Sequence, residues 1–201
     1  MHIDKNGKLR GLAGKTIFTE KDLSVNILIT TVTPLYRQCF KRGVWNEDLS
    51  IESVVGRLEN CFSRDFRGYF LFDIGEICIG ASWYEYVNID WIKDNKGSDL
   101  ANFITQKMLS NNLRQIVWQT ETLVHPDFAK QGLAGQLKSI IDMDLQKLSL
   151  PVGGILTATR MRDDNIAILK VNSKLQYNKT GIRMPCNLDP KIEHEYWFKI
   201  Y

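Results

Sequence analysis

The sequence predicts a mixed α/β (α+β) fold in which helices flank a central sheet of six to seven strands. Short runs of aromatic and β-branched residues occur in the middle of the chain, and strand patterns alternate with helical patterns from residue 115 onward. The length of 201 residues suits one domain. Hydrophobic residues make up 44% of the chain, which is enough apolar material to offset the entropy of ordering it.

The first 15 residues are polar and Gly-rich, so we expect a flexible tail ahead of a single domain over residues 16–201. Thr16–Thr19 predicts a first strand. One helix or two short ones follow over Val25–Phe40, because Pro34 offers a natural break. The next helix is clearer: Ser50 can cap it, and apolar residues recur at helical spacing at Ile51, Val54, Val55, Leu58 and Phe62.

Two strands follow, over Tyr69–Phe72 and Glu76–Val87, around a hairpin turn at Asp73–Gly75. Gly80 within the second strand indicates a bulge or a close backbone approach. Residues 92–113 are polar and irregular, with a short helix over Leu100–Leu109, and we interpret this segment as an insertion between strands.

The remaining elements alternate. Gln115–Val124 predicts a strand that ends at Pro126, and a helix over Leu133–Leu148 has one apolar face. A strand over Gly154–Thr159 and a helix over Asp164–Leu175 come next. Two terminal strands, Gln176–Arg183 and His194–Ile200, complete the predicted order β-αα-β-β-β-α-β-α-β-β.

Charge and cysteine usage exclude several classes of function. Lys and Arg number 26 against 23 Asp and Glu, an excess too small for a nucleic-acid-binding protein. No apolar run approaches the roughly 20 residues of a membrane span, and no secretory leader is evident. The cysteines lie far apart without zinc-site spacing, so we expect free thiols, a cytoplasmic protein and no metal.

The segment Leu123–Gly135 joins a strand to a helix through a short loop that contains two glycines. Glycine and alanine let backbone amides approach a ligand closely. The first helical turn leaves amides without partners and carries the positive end of the helix dipole. Such a loop is an anion site typical of diphosphates, although a plain tight turn explains the same residues equally well.

Further context comes from a resemblance to the Gcn5-related N-acetyltransferases, the GNAT superfamily. Val124-His125-Pro126 and Gly132-Leu133-Ala134 resemble motif A, V-x-P followed by [RQ]-x-x-G-x-[GA], which grips the pyrophosphate of acetyl-CoA. Ala129 departs from the Arg or Gln of the motif. The resemblance implies the GNAT fold over residues 16–201, with CoA contacts from Leu123, Val124, Ala129, Lys130, Gln131, Gly132, Leu133, Ala134 and Gly135.

A second segment resembles motif B of the same superfamily, N-x-x-A-x-x-L-Y-x-K-x-G-F. Asn165, Lys174 and Tyr177 align with it, which implies CoA contacts from Asn165 and Asn172. Asn172 stands where many members have a tyrosine that protonates the departing thiolate, and Gln176 replaces a glycine. Without the motif A segment, core packing would be the favoured explanation of this helix.

The resemblance implies an N-acetyltransferase that transfers the acetyl group of acetyl-CoA to a primary amine by direct attack in a ternary complex. A neutral amine is required, so a base must remove a proton. Glu121 is the first candidate, although strict alternation places it on the face opposite Thr120 and Thr122 unless the strand bulges. Glu85 is the second candidate base, Thr120 can order a water, and Asn172 occupies the position of the acid.

One alternative stays open at this point, a non-catalytic GNAT-fold module that binds acyl-CoA as a sensor or mediates an interaction. The departures at Ala129 and Asn172 favour that alternative. The acceptor is a small-molecule or peptide amine, and the protein is a monomer or a homodimer. We expect neither nucleic acid nor a membrane as a partner.

Overall fold

The fold is taken from a computed structural model of the chain. The predicted flexible tail lies largely outside the described residues, apart from two short strands that pair with each other, β1 (His2–Ile3) and β2 (Leu9–Arg10). The structure describes residues 2–3, 9–10, 15–42, 45–74, 76–186, 189 and 191–201.

The central sheet has seven strands in the order β3-β4-β5-β6-β7-β9-β8, which confirms the predicted mixed sheet. β6 and β7 run parallel, while β3 with β4, β7 with β9, and β8 with β9 are antiparallel. The strands are β3 (Thr16–Thr19), β4 (Phe66–Phe72), β5 (Cys78–Val87), β6 (Gln115–Val124), β7 (Ile155–Arg162), β8 (Asn178–Pro185) and β9 (Glu193–Ile200).

Six α-helices and one 3-10 turn accompany the described strands. As predicted, Ser50 caps the second helix by accepting a hydrogen bond from the Ser53 amide at 3.1 Å. The helices are α1 (Val25–Arg42), α2 (Ile51–Phe62), α3 (Ile89–Lys96), α4 (Ser98–Ser110), α5 (Leu133–Val152) and α6 (Ile166–Lys174), and the 3-10 turn is Pro126–Phe128.

Helix α1 continues through Pro34, so of the two alternatives left open by the sequence the single helix is the one that forms. Proline removes one backbone donor from the helix interior. The apolar face formed by Leu28, Val32 and Leu35 is at most 1% exposed. Because this face is fully packed, its burial compensates for the missing hydrogen bond.

Residues 92–113 are helical almost throughout, which corrects the prediction of an irregular segment. α4 contains the helix predicted over Leu100–Leu109, but α3 was missed. Asn88 caps α3 by accepting from the Trp91 amide at 2.8 Å. Ile92, Leu100 and Ile104 are fully buried. The segment is therefore a packed helical hairpin, and its polar residues form the outer faces.

The chain divides into two compact units, Met1–Trp83 with Glu121–Ile141 and Tyr84–Thr120 with Asp142–Tyr201. The core of the first unit joins α1 and α2 to β4 and β5, and a second cluster in it joins the start of α5 to Leu71 and Ile79. The core of the second unit joins α3 and α4 to Trp118, Leu156 and Tyr196.

Gly80 is the site of a close approach between β5 and α5, as the sequence indicates. A Cβ atom at this position would lie 3.0 Å from Cδ1 of Leu137 and 3.5 Å from the carbonyl oxygen of Leu123. Ile79 packs in the same cluster as Leu137, so two consecutive positions of β5 face α5. The alternation of the strand is therefore interrupted at Gly80.

Candidate functional site

The connection between β6 and α5 in the first unit begins with a tight 3-10 turn. The amides of Phe128 and Ala129 donate to the carbonyls of His125 and Pro126 at 2.9 and 3.1 Å. The His125 ring accepts a hydrogen bond from the Asp127 amide at 3.3 Å. The amide of Ala129, a predicted CoA contact, is thus already used within the turn, as is that of Phe128.

Beyond the turn, the loop presents a row of amides without a hydrogen-bond acceptor among the described residues. None of the amides from Lys130 to Gly135 donates a hydrogen bond to a residue that the structure describes, and the next amide, that of Gln136, bonds to the Gly132 carbonyl at 3.1 Å. Lys130 and Gly132 have φ values of 63° and 78°. These left-handed residues turn the chain sharply before the helix begins.

The electrostatics of this loop favour an anion. Free amides at a helix N-terminus carry partial positive charge, and α5 is 20 residues long with no acidic residue in its first turn. Lys130 is exposed beside them. Lys138, further along α5, is only 3% exposed, so its charge is not presented to solvent. The loop can therefore hold a diphosphate on backbone amides.

The last residues of β6 lead directly into this loop. The Leu123 side chain is buried among the apolar residues of α1 and α2, while Val124 packs on the α5 side. The Val124 carbonyl accepts a hydrogen bond from the Cys39 thiol at 3.1 Å. Burial raises the pKa of Cys39 to about 12, so the thiol keeps its proton. α1 thus anchors the end of β6 through its backbone.

Glu121 faces α1, in line with the alternation that also directs Leu123 to this side. Its Oε1 atom accepts a hydrogen bond from the Tyr36 hydroxyl at 3.1 Å. Burial, followed by the Glu121 charge, raises the pKa of Tyr36 well above its usual value, so the phenol remains a donor. The adjacent Thr122 points elsewhere and pairs with the Ser82 hydroxyl at 2.8 Å.

The second candidate base, Glu85, lies in the second unit together with Thr120. The Thr120 hydroxyl donates to Oε1 of Glu85 at 2.7 Å, and Glu85 is 1% exposed. The register between β6 and β7 runs from the Gln115–Ile155 pair to the Gln119–Thr159 pair. Thr120 is therefore the first residue of β6 beyond that register.

The motif B residues of the second unit have structural partners. The Asn165 side chain caps α6 by accepting from the Ile168 amide at 3.4 Å. Asn172 is fully buried, and its amide donates to the Met161 sulfur at 2.8 Å. Its Oδ1 atom accepts no hydrogen bond from the described residues. In the same unit, the Tyr84 hydroxyl donates to Asp144 at 2.7 Å.

The predicted site residues thus fall into two groups. Glu121, Leu123, Val124 and the loop 129–135 belong to the first unit, whereas Glu85, Thr120, Asn165 and Asn172 belong to the second. Sequence reasoning missed Tyr36 and Cys39. Both lie 85 residues from their partners on β6, and no local motif indicates them.

Within the part of the chain that the structure describes, no group of three or more His, Cys, Asp or Glu side chains is arranged to hold a metal ion. Within the same residues, no helix is both long and apolar enough to cross a membrane.

Comparison with solved structures reveals relatives in fold. An N-acetyltransferase from Staphylococcus aureus matches with a TM-score of 0.62 and 9% identity, covering 92% of this chain and 97% of that one. The ribosomal-protein-S18-alanine N-acetyltransferase from Escherichia coli matches with a TM-score of 0.56 and 15% identity, covering 92% of each chain.

A third match is a GNAT superfamily phosphinothricin acetyltransferase from Sinorhizobium meliloti in complex with acetyl-CoA, with a TM-score of 0.62 and 10% identity. It covers 93% of this chain and 88% of that one. No protein-family model and no curated protein matches the sequence. At such low identities the likeness establishes the fold, and the chain has the fold of the GNAT superfamily.

Proposed function

We propose that the protein is an N-acetyltransferase that uses acetyl-CoA and acetylates a primary amine in a ternary complex. The observation that carries this proposal is the row of unused amides from Lys130 to Gly135 at the start of α5. Unused amides, left-handed turns at Lys130 and Gly132, and the helix dipole together favour a bound diphosphate. The fold supports the same ligand, since a structural relative was solved with acetyl-CoA.

The backbone at the end of β6 has a second role in this proposal. Leu123 and Val124 immediately precede the loop, so a pantetheine arm that leaves the diphosphate can pair with their backbone groups like an added strand. The Val124 carbonyl already accepts a hydrogen bond from the Cys39 thiol, so one lone pair of this oxygen remains for a ligand. An amide near Val124 then stabilises the oxyanion that forms when the amine attacks the thioester.

Proton removal is assigned to Glu121. The attacking amine must be neutral, while an alkyl amine near pH 7 is almost wholly protonated. Glu121 is a carboxylate on the same strand as Val124, and the Tyr36 hydroxyl fixes its Oε1 atom. Glu85 with Thr120 is the second candidate, because the pair is buried and hydrogen-bonded. Thiolate departure needs no acid from Asn172, since a thiol of pKa about 8.5 leaves readily.

The test of the diphosphate site compares two glycines with the same backbone conformation. Gly132 has φ +78° and Gly181 has φ +80°, and a side chain at Gly181 meets nothing within 4 Å. Gly132→Glu adds a carboxylate at the proposed diphosphate site, whereas Gly181→Glu adds the same charge and strain in β8. In calorimetric titrations with acetyl-CoA, only Gly132→Glu should lower the affinity, by at least a hundredfold. An equal loss of affinity in both variants, or unchanged affinity in both, would refute the proposed location of the diphosphate site.

Turnover is tested separately by thiol release from acetyl-CoA with a panel of primary amines. Release that requires an amine supports the transferase. The burial of Asn172, which leaves no proton donor at that position, favours the alternative of a non-catalytic acyl-CoA sensor. Tight acetyl-CoA binding without release across the whole panel would establish that alternative.

A further inference from the structure

Helix α1 meets the end of β6 and the turn after it through three evenly spaced contacts. The residues on α1 follow one another at intervals of three, as do their partners, and the two members of every pair are 85 positions apart. The pairs are Tyr36 with Glu121, Cys39 with Val124, and Arg42 with Asp127. Because residues three apart share a face of a helix, one stripe of α1 lines this whole stretch.

The third contact joins the end of α1 to the 3-10 turn. Nη1 of Arg42, the last residue of α1, lies 2.9 Å from Oδ1 of Asp127. The two side chains are 53% and 67% exposed, and an ion pair so open to water contributes little to the stability of a fold. What this pair changes is therefore mainly the local charge.

Asp127 lies close to the row of amides proposed to hold the diphosphate. It is the one acidic residue between positions 122 and 141 of the sequence. It precedes Lys130, where the row begins, by three residues, so their Cα atoms are at most about 11 Å apart. This separation is close to the Debye length of ~10 Å at 0.1 M salt. An uncompensated carboxylate at Asp127 would therefore weaken the binding of an anion to those amides.

Arg42 is the basic group that compensates this carboxylate. The His125 ring is also near, with its Nδ1 atom 3.8 Å from Oδ2 of Asp127. The same Nδ1 atom accepts a hydrogen bond from the Asp127 amide, so it presents a lone pair and no proton. A guanidinium is always charged in proteins, so Arg42 offsets the Asp127 charge throughout the physiological pH range.

We propose that Arg42 is a positioning residue that sets the affinity of the diphosphate loop by neutralising Asp127. This inference rests on the proposed function, because the diphosphate is that of acetyl-CoA. Arg42 acts through Asp127 and does not contact the ligand. The role differs from anchoring of the turn, for which both partners would be needed. It also differs from direct contact, for which Arg42 would be needed whether or not Asp127 is charged.

The experiment is a calorimetric titration with acetyl-CoA at pH 8 in a low-salt buffer, where exposed charges are screened least. Arg42→Gln should bind about fivefold more weakly than the wild type, because Asp127 is left uncompensated. Asp127→Asn should bind at least as tightly as the wild type, and the double variant should bind like Asp127→Asn. Arg42→Lys keeps the charge and should keep the affinity.

Lys41→Gln is the matched control. It removes the same charge from the neighbouring position of α1, but Lys41 pairs with Asp48, at 2.9 Å, and not with a residue of the turn. This variant should bind acetyl-CoA like the wild type, and a loss equal to that of Arg42→Gln would overturn the inference. Thermal unfolding verifies the fold of each variant, since every substituted side chain is more than half exposed.

Three further results would overturn the inference. Equal weakening in Asp127→Asn and Arg42→Gln would show anchoring of the turn. A loss from Arg42→Gln that persists in the Asp127→Asn background would show direct contact with the ligand. Unchanged affinity in Arg42→Gln would show that the pair has no role in binding.

Inorganic pyrophosphate, titrated into the same proteins, separates this inference from the proposed function. If pyrophosphate binds with the expected order of affinities while no protein binds acetyl-CoA, the transferase is refuted and the role of Arg42 stands. If acetyl-CoA binds the wild type and Arg42→Gln equally, the role of Arg42 alone is refuted. If neither ligand binds the wild type, both are refuted.

Discussion

The hydroxyl of Tyr36 lies 3.1 Å from Oε1 of Glu121, joining the middle of α1 to the last part of β6. α1 makes a second contact with the same strand three residues further on, where the Cys39 thiol donates to the Val124 carbonyl. The first helix therefore fixes both the side chain of the candidate base and the backbone next to the proposed diphosphate loop.

Tyr36→Phe tests the contact with Glu121. A hydrogen bond to a carboxylate favours its ionised form, so the variant should lower kcat about tenfold and move the acidic limb of the pH–rate profile to higher pH. The measurement is acetyl transfer to the best amine of the panel between pH 5 and 9. KM for acetyl-CoA should change little, because the substitution at Tyr36 does not alter the proposed diphosphate loop.

Tyr201→Phe is the matched control for this variant. Tyr201 also donates to a carboxylate, that of Asp142 at 2.7 Å, but both residues belong to the second unit, whereas Tyr36 and Glu121 belong to the first. Removing the Tyr201 hydroxyl should leave the acidic limb of the pH–rate profile unchanged. The assignment of Tyr36 fails if both variants shift the limb equally, or if neither does.

Cys39 should resist alkylation in the folded protein. Burial raises its pKa to about 12, against about 8.5 for a free thiol, so at pH 8 the reactive thiolate is depleted on the order of a thousandfold. Iodoacetamide labelling followed by peptide mass spectrometry should detect Cys39 only after unfolding in urea. Labelling of the folded protein at the rate of the unfolded chain would contradict the burial of this thiol.

His194 should make the protein lose stability in mild acid. Burial and the neighbouring Arg160 and Arg162 lower the pKa of His194 to about 4 from about 6.5. The unfolded chain therefore binds a proton that the folded chain rejects, and stability falls as pH decreases from about 6.5 to 4. The expected loss is about 3 kcal/mol. Urea unfolding at several pH values should show this loss, and His194→Asn should flatten it.

Side chains added at two different glycines should change the free energy of unfolding in opposite directions. Gly80→Val places methyl groups against Leu137, whose Cδ1 would be 3.0 Å from the new Cβ, and should destabilise by about 1–3 kcal/mol. Gly56→Ala, in α2 with nothing within 4 Å, should stabilise by about 0.5–1 kcal/mol. Urea unfolding measures both changes, and destabilisation by Gly56→Ala would contradict the open environment of that position.

The sequence was informative where one local pattern determines the structure. The Ser50 cap and the apolar spacing after it define α2, and the glycine loop with its neighbouring apolar helix defines the start of α5. Where tertiary packing decides, the sequence left one or two helices open over α1 and missed α3. The packed face of α1 overrides the helix-breaking tendency of Pro34, and α3 is stabilised by Ile92 against the second core.

The same contrast between local pattern and tertiary packing holds for the residues of the candidate site. The amides of residues 130–135 depend on local conformation, so the loop could be located from its glycines and the helix that follows. The partners of Glu121 and Val124 come from α1, which is remote in the chain and has no motif. Arg42 gave no signal either, because its contact with Asp127 depends on how α1 packs beside the 3-10 turn.

The most direct test of the proposed diphosphate site is to titrate nitrogen-15-labelled protein with acetyl-CoA and to follow its amide signals in proton–nitrogen correlation NMR spectra. We expect the amide signals of residues 131–135 to shift the most, with smaller changes for Phe128 and Ala129, whose amides already donate within the turn. Saturable shifts concentrated in that row would support the account. A titration in which these signals stay in place while others move would contradict it.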